Sequence, residues 1–107
     1  MADSSELSTQ KLLADLWQRN QPIILERLAQ LDAAVVALAA GSLTEDLRAA
    51  AESTAHKLSG TLGMFGFHEG TTIARELEQE LQSLRPEVSR LFRFSRNLRA
   101  SIFPPLS

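Results

Sequence analysis

The chain contains no cysteine and no tyrosine among its 107 residues. Without cysteine there is no disulfide framework, thiolate metal site or cysteine nucleophile. Proline and glycine are scarce, at four and five residues, and alternation of apolar with polar positions is missing. Both absences argue against a turn-rich β fold. No apolar run approaches the roughly 18–20 residues of a membrane span. A basic excess is missing too: 11 Lys and Arg stand against 13 Asp and Glu, for a net charge of −2. That balance argues against generic nucleic-acid binding by the whole domain. The opening Met1-Ala2-Asp3-Ser4-Ser5-Glu6 is acidic and polar, unlike the basic start of a signal peptide. The expectation is a soluble, cytoplasmic, monomeric domain with neither a nucleic-acid nor a membrane partner.

What is present is helical. The apolar fraction of 44% and charged fraction of 22% are those of a globular chain, and the length suits one domain over 1–107. Its ends, 1–7 and 103–107, are expected to fray. Leu13, Trp17, Ile24, Leu28, Leu31, Val35 and Leu38 keep one helical phase from about Ser8 to Ala40. Pro22 interrupts this stretch, which therefore reads as one long helix kinked near Asn20-Gln21 or as two in series. The unbroken phase favours the kink. Gly41 suits a helix end, and Ser42-Leu43-Thr44-Glu45 fits a capping box opening the next helix. That helix carries Leu47, Ala51, Thr54/Ala55, Leu58, Leu62 and Phe65, and Gly66 to Gly70 breaks it. A third helix carries Ile73, Leu77, Leu81 and Leu84. Pro86 opens a fourth with Val88, Leu91, Phe92, Leu98 and Ile102, stopped by Pro104-Pro105. Four amphipathic segments with short connections predict an all-α, antiparallel up-down-up-down four-helix bundle.

Charge is uneven along it. Arg85, Arg90, Arg93, Arg96 and Arg99 face a single acid, Glu87, in the last 23 residues. Such a stripe reads as a solvated face balancing acidic neighbours, or as a surface for a partner.

Two histidines are available for chemistry. His68 falls in the break after Phe65 and reads as a capping or solvated residue. His56 lies about 200° from Leu58 round the helix, and so points away from the core stripe. Glu52, Ser53, Ser59, Gly60 and Gly63 share its side. Gly60 and Gly63 each cost a helix interior about 1 kcal/mol relative to Ala. They either give clearance for another protein's backbone to approach His56 or loosen the helix before Gly66. An exposed imidazole is largely neutral at pH 7 and holds a free nitrogen lone pair. It can attack phosphorus without a base, whereas Ser and Thr need one. Lys57 is about 100° round the helix, either a solvated lysine or a long stem able to bring its ammonium near a group on His56.

The stretch Ala55-His56-Lys57-Leu58-Ser59-Gly60-Thr61-Leu62-Gly63-Met64-Phe65-Gly66-Phe67 resembles the histidine phosphotransfer (HPt) motif. It is similar to the form found in chemotaxis-kinase phosphotransfer domains and in HPt modules of bacterial multidomain response regulators. Ala74-Arg75-Glu76-Leu77-Glu78 looks like the family's next helix. The resemblance implies a phosphocarrier in a two-component phosphorelay, without nucleotide binding or kinase activity of its own. Its partners would be receiver domains and a hybrid histidine kinase. No cofactor or metal is implied on this chain, since the Mg²⁺ belongs to the receiver. The resemblance carries over His56 as phospho-acceptor and Gly60 as clearance residue, with Lys57, Ser59 and Gly63 in support. Many relatives have Lys three residues after the histidine, where this chain has Ser59. Lys57 or a Ser59 hydrogen bond would then serve the phosphate. The alternative is a helical docking or scaffold bundle that keeps the fold without the transfer.

Overall fold

A computed structural model describes residues 4–104. Four helices account for nearly all of them: α1 (Ser4–Ala39), α2 (Glu45–Met64), α3 (His68–Gln82) and α4 (Val88–Ile102). Each packs on its sequence neighbour, and α1 closes the ring on α4, while the diagonal pairs stand apart. Short connections and this ring order make the antiparallel up-down-up-down bundle expected from the periodicity.

α1 is a single helix running through Pro22. Of the two readings, two helices in series is not the one that forms. It begins at Ser4 rather than near Ser8. Of the ends expected to fray, residues 4–7 are instead helical as the first turns of α1, and 1–3 and 105–107 lie outside the described residues. At 36 residues α1 is about 54 Å long, and it sets the 55 Å long axis of the molecule. Its partners are too short to flank all of it, so residues 5–15 are exposed throughout. Leu13 shares the phase of Ile24 and Leu28 yet faces solvent for this reason.

Two glycines end two helices in the same way. Gly41 and Gly66 adopt φ of +74° and +80°, the left-handed region that a Cβ disfavours. At the first, Ser42 N donates to Ala37 O and Gly41 N to Leu38 O. At the second, Phe67 N donates to Leu62 O and Gly66 N to Gly63 O. Both are Schellman ends that satisfy the last carbonyls of the helix. The α2 cap differs from the expected one. Thr44, not Ser42, accepts from Leu47 N at 3.1 Å, and the Ser42 hydroxyl donates back to Ala37 O. The next break is shorter than expected, spanning only Phe65 to Phe67. His68 therefore begins α3, and Gly70 is buried inside it. A Cβ on Gly70 would meet Ser101 Oγ at 3.1 Å and Leu62 Cδ1 at 3.2 Å, which is how closely α3 approaches its neighbours.

The core is a continuous aliphatic column. Ile24, Leu28, Leu31 and Val35 of α1 meet Ala51, Ala55, Leu58 and Leu62 of α2, Leu77 and Leu81 of α3, and Leu91 and Leu98 of α4. Leu47, Leu84 and Phe92 lie outside it, exposed. At one end Trp17 packs edge-on against Phe65, tilted against Phe67 and stacked on Phe103, at ring-centroid distances of 5.3, 4.8 and 6.0 Å. At the other end the Arg48 guanidinium donates to the Leu81 and Ser83 carbonyls at the close of α3. Asp32 of α1 accepts from Ser95 and Arg99 of α4, joining first helix to last. Aromatic plug, arginine tie and aliphatic column together hold α2 and α3 in a fixed register.

Candidate functional site

α2 buries Ala51, Ala55, Leu58 and Leu62 on one stripe, which turns His56 outward. Its side chain is 76% exposed. One contact orients it: Nδ1 lies 3.2 Å from Oε2 of Glu78 on α3, a carboxylate that is itself mostly covered. A carboxylate only accepts hydrogen bonds, so in the neutral ring the proton sits on Nδ1. Nε2 then keeps its lone pair and has no partner among the described residues.

Beside the imidazole is an open groove of about 430 Å³ between α2 and α3. His56, Ser59 and Gly60 line one wall, and Arg75, Glu78, Gln79 and Gln82 the other. A Cβ built on Gly60 would meet nothing within 4 Å, so this glycine borders open space. Gly63 is placed differently. Its Cβ would rest 3.7 Å from Thr71 Oγ1, an ordinary contact with α3 outside the groove.

Ser59 is buried, and its hydroxyl donates to the His56 carbonyl at 2.7 Å. That bond turns the oxygen into the helix. Lys57 is exposed and does not line the groove. Of the residues singled out in the sequence, His56, Ser59 and Gly60 therefore meet at one place, whereas Lys57 and Gly63 point elsewhere. Glu78 and Arg75 lie in the stretch that resembles the family's next helix, but sequence alone does not place them across the groove from His56. An antiparallel hairpin of helices turning at Gly66 would have put position 56 opposite the high seventies.

A family model described as "Hpt domain" matches residues 11–101. The chain belongs to the Hpt domain family. A curated relative, Protein RcaC of Microchaete diplosiphon, is 39% identical over 66 residues. The match covers 62% of this chain and 10% of that protein, so the chain aligns with only a small part of it. No solved structure matches the chain. Membership of that family implies histidine phosphotransfer in a phosphorelay. His56 is one of the exposed residues lining the α2–α3 groove. No described helix is long and apolar enough to cross a membrane. Among the described residues there is no group of three or more His, Cys, Asp and Glu that could hold a metal ion.

Proposed function

We propose that His56 is the phospho-acceptor of this Hpt domain. It takes a phosphoryl group from the aspartyl phosphate of a receiver domain, or from a kinase, and passes it to another receiver. The observation that carries this reading is the pairing of an exposed imidazole with Glu78. The Nε2 lone pair forms the N–P bond while the acyl-phosphate P–O bond breaks, and that electron pair stays on the receiver's carboxylate. Nδ1 keeps its proton, so the phosphorylated ring is cationic and faces the Glu78 carboxylate. The same arrangement assists the return step, because a cationic ring leaves phosphorus more readily.

The carrier needs little else, since phosphoryl transfer depends mainly on positioning and charge neutralisation. The Mg²⁺ for each step comes with the receiver. In this reading residues 1–107 act as one monomeric cytoplasmic domain without kinase activity of its own, and Gly60 leaves room for the receiver's backbone. The test is transfer from receivers loaded with labelled acetyl phosphate. Acid-labile label is expected on the wild type and none on His56→Gln.

A further inference from the structure

We infer that Arg75, reaching across from α3, supplies the cation that neutralises a phosphoryl group on His56. The inference rests on His56 being the acceptor. Two contacts fix the register of α2 against α3: His56 lies opposite Glu78, and Gly63 lies opposite Thr71. Seven residues separate the two contact points on each helix, so positions pair in step between them. Ser59, three residues after His56, therefore stands level with Arg75, three residues before Glu78. Arg75 occupies the height at which a cation one turn along α2 from the histidine would stand, but on the facing helix.

The local charges leave the task to Arg75. A phosphoryl group brings about −1.5 to −2 charges. Glu78 already sits beside the ring, and Glu52 one turn before it. Arg48 is committed to the carbonyls closing α3 and to Glu45 and Glu52. Lys57 is outside the groove, and the remaining lining side chains, Gln79 and Gln82, are neutral. Arg75 is exposed, lines the groove, and has no hydrogen-bond or ion-pair partner among the described residues. Its guanidinium can cross the low shelf made by Ser59 and Gly60 and meet two phosphoryl oxygens with parallel N–H donors.

The test uses untagged protein in a His68→Gln background, leaving His56 as the one imidazole, phosphorylated directly with phosphoramidate. A ³¹P NMR titration then reads the field at the phosphoryl group. Removing a nearby cation favours protonation, so Arg75→Ala should move the midpoint to higher pH by about half a unit. Arg75→Lys should keep most of the wild-type value. Arg75→Ala/Ser59→Lys should restore it from the other wall, which a merely structural loss would not allow. Lys57→Ala should leave it in place. Transfer from a loaded receiver should slow roughly three- to tenfold in Arg75→Ala, with a weaker salt dependence. An unmoved midpoint in Arg75→Ala, with His56 phosphorylated, would overturn the role of Arg75 and leave the acceptor assignment standing. Absence of label on His56 in the parent protein would overturn the acceptor assignment itself.

Discussion

Glu78 and His56, 22 positions apart on neighbouring helices, meet at 3.2 Å, and their contact sets which imidazole nitrogen is free. Most of the ring faces solvent while the carboxylate is largely covered. A largely covered acceptor thus orients an exposed donor.

Glu78→Ala should lower the rate of phosphoryl transfer by about tenfold or less, the range for losing one charge-assisted hydrogen bond at a partly exposed site. Glu78→Gln keeps an acceptor oxygen without the charge and should fall between. Single-turnover transfer from a loaded receiver measures both. Equal rates for wild type and Glu78→Ala would remove the tautomer argument.

Gly60 separates stability from access. Since a Cβ there meets nothing, Gly60→Ala should raise unfolding stability by up to about 1 kcal/mol, read by urea denaturation, with transfer largely kept. Gly60→Leu should fold equally well and transfer more slowly, because the side chain enters the space the receiver needs. A Gly60→Leu variant as fast as wild type would return Gly60 to a purely backbone role.

Gly66 should behave in the opposite way. Its φ of +80° ends α2, so Gly66→Ala forces a Cβ into the left-handed region at a cost of about 1–2 kcal/mol. The denaturation midpoint should fall. A midpoint equal to that of wild type would mean that the Schellman end is not needed to stop the helix.

Helical periodicity was enough to find the bundle, since Leu58, Leu62, Leu77, Leu81 and Leu98 all lie where their phase puts them. Phase tells which face of a helix is apolar, but not whether another helix runs beside it. Leu13 follows the pattern and is exposed because the start of α1 runs past its shorter partners, and Leu47 follows it and is exposed in the first turn of α2. Ser42 and Thr44 carry the same capping chemistry, and only the backbone decides that Thr44, two residues on, caps α2. The direction of His56 followed from its angle to Leu58. Glu78 and Arg75 did not follow, since contacts between helices depend on register, and the loop that sets it is shorter than the glycines suggested. Ser59 shares the His56 side of α2, but spacing does not show that its hydroxyl donates back to the His56 carbonyl within the helix.

The central claim is tested most directly by His56→Gln against a panel of receiver domains loaded with labelled acetyl phosphate. His56 is exposed, so the variant should stay folded, with its stability within about 0.5 kcal/mol of wild type. It should take up no acid-labile phosphate from any receiver that labels the wild type. Uptake by folded His56→Gln at the wild-type level would place the acceptor elsewhere, with His68 the first residue to examine, and would contradict the account.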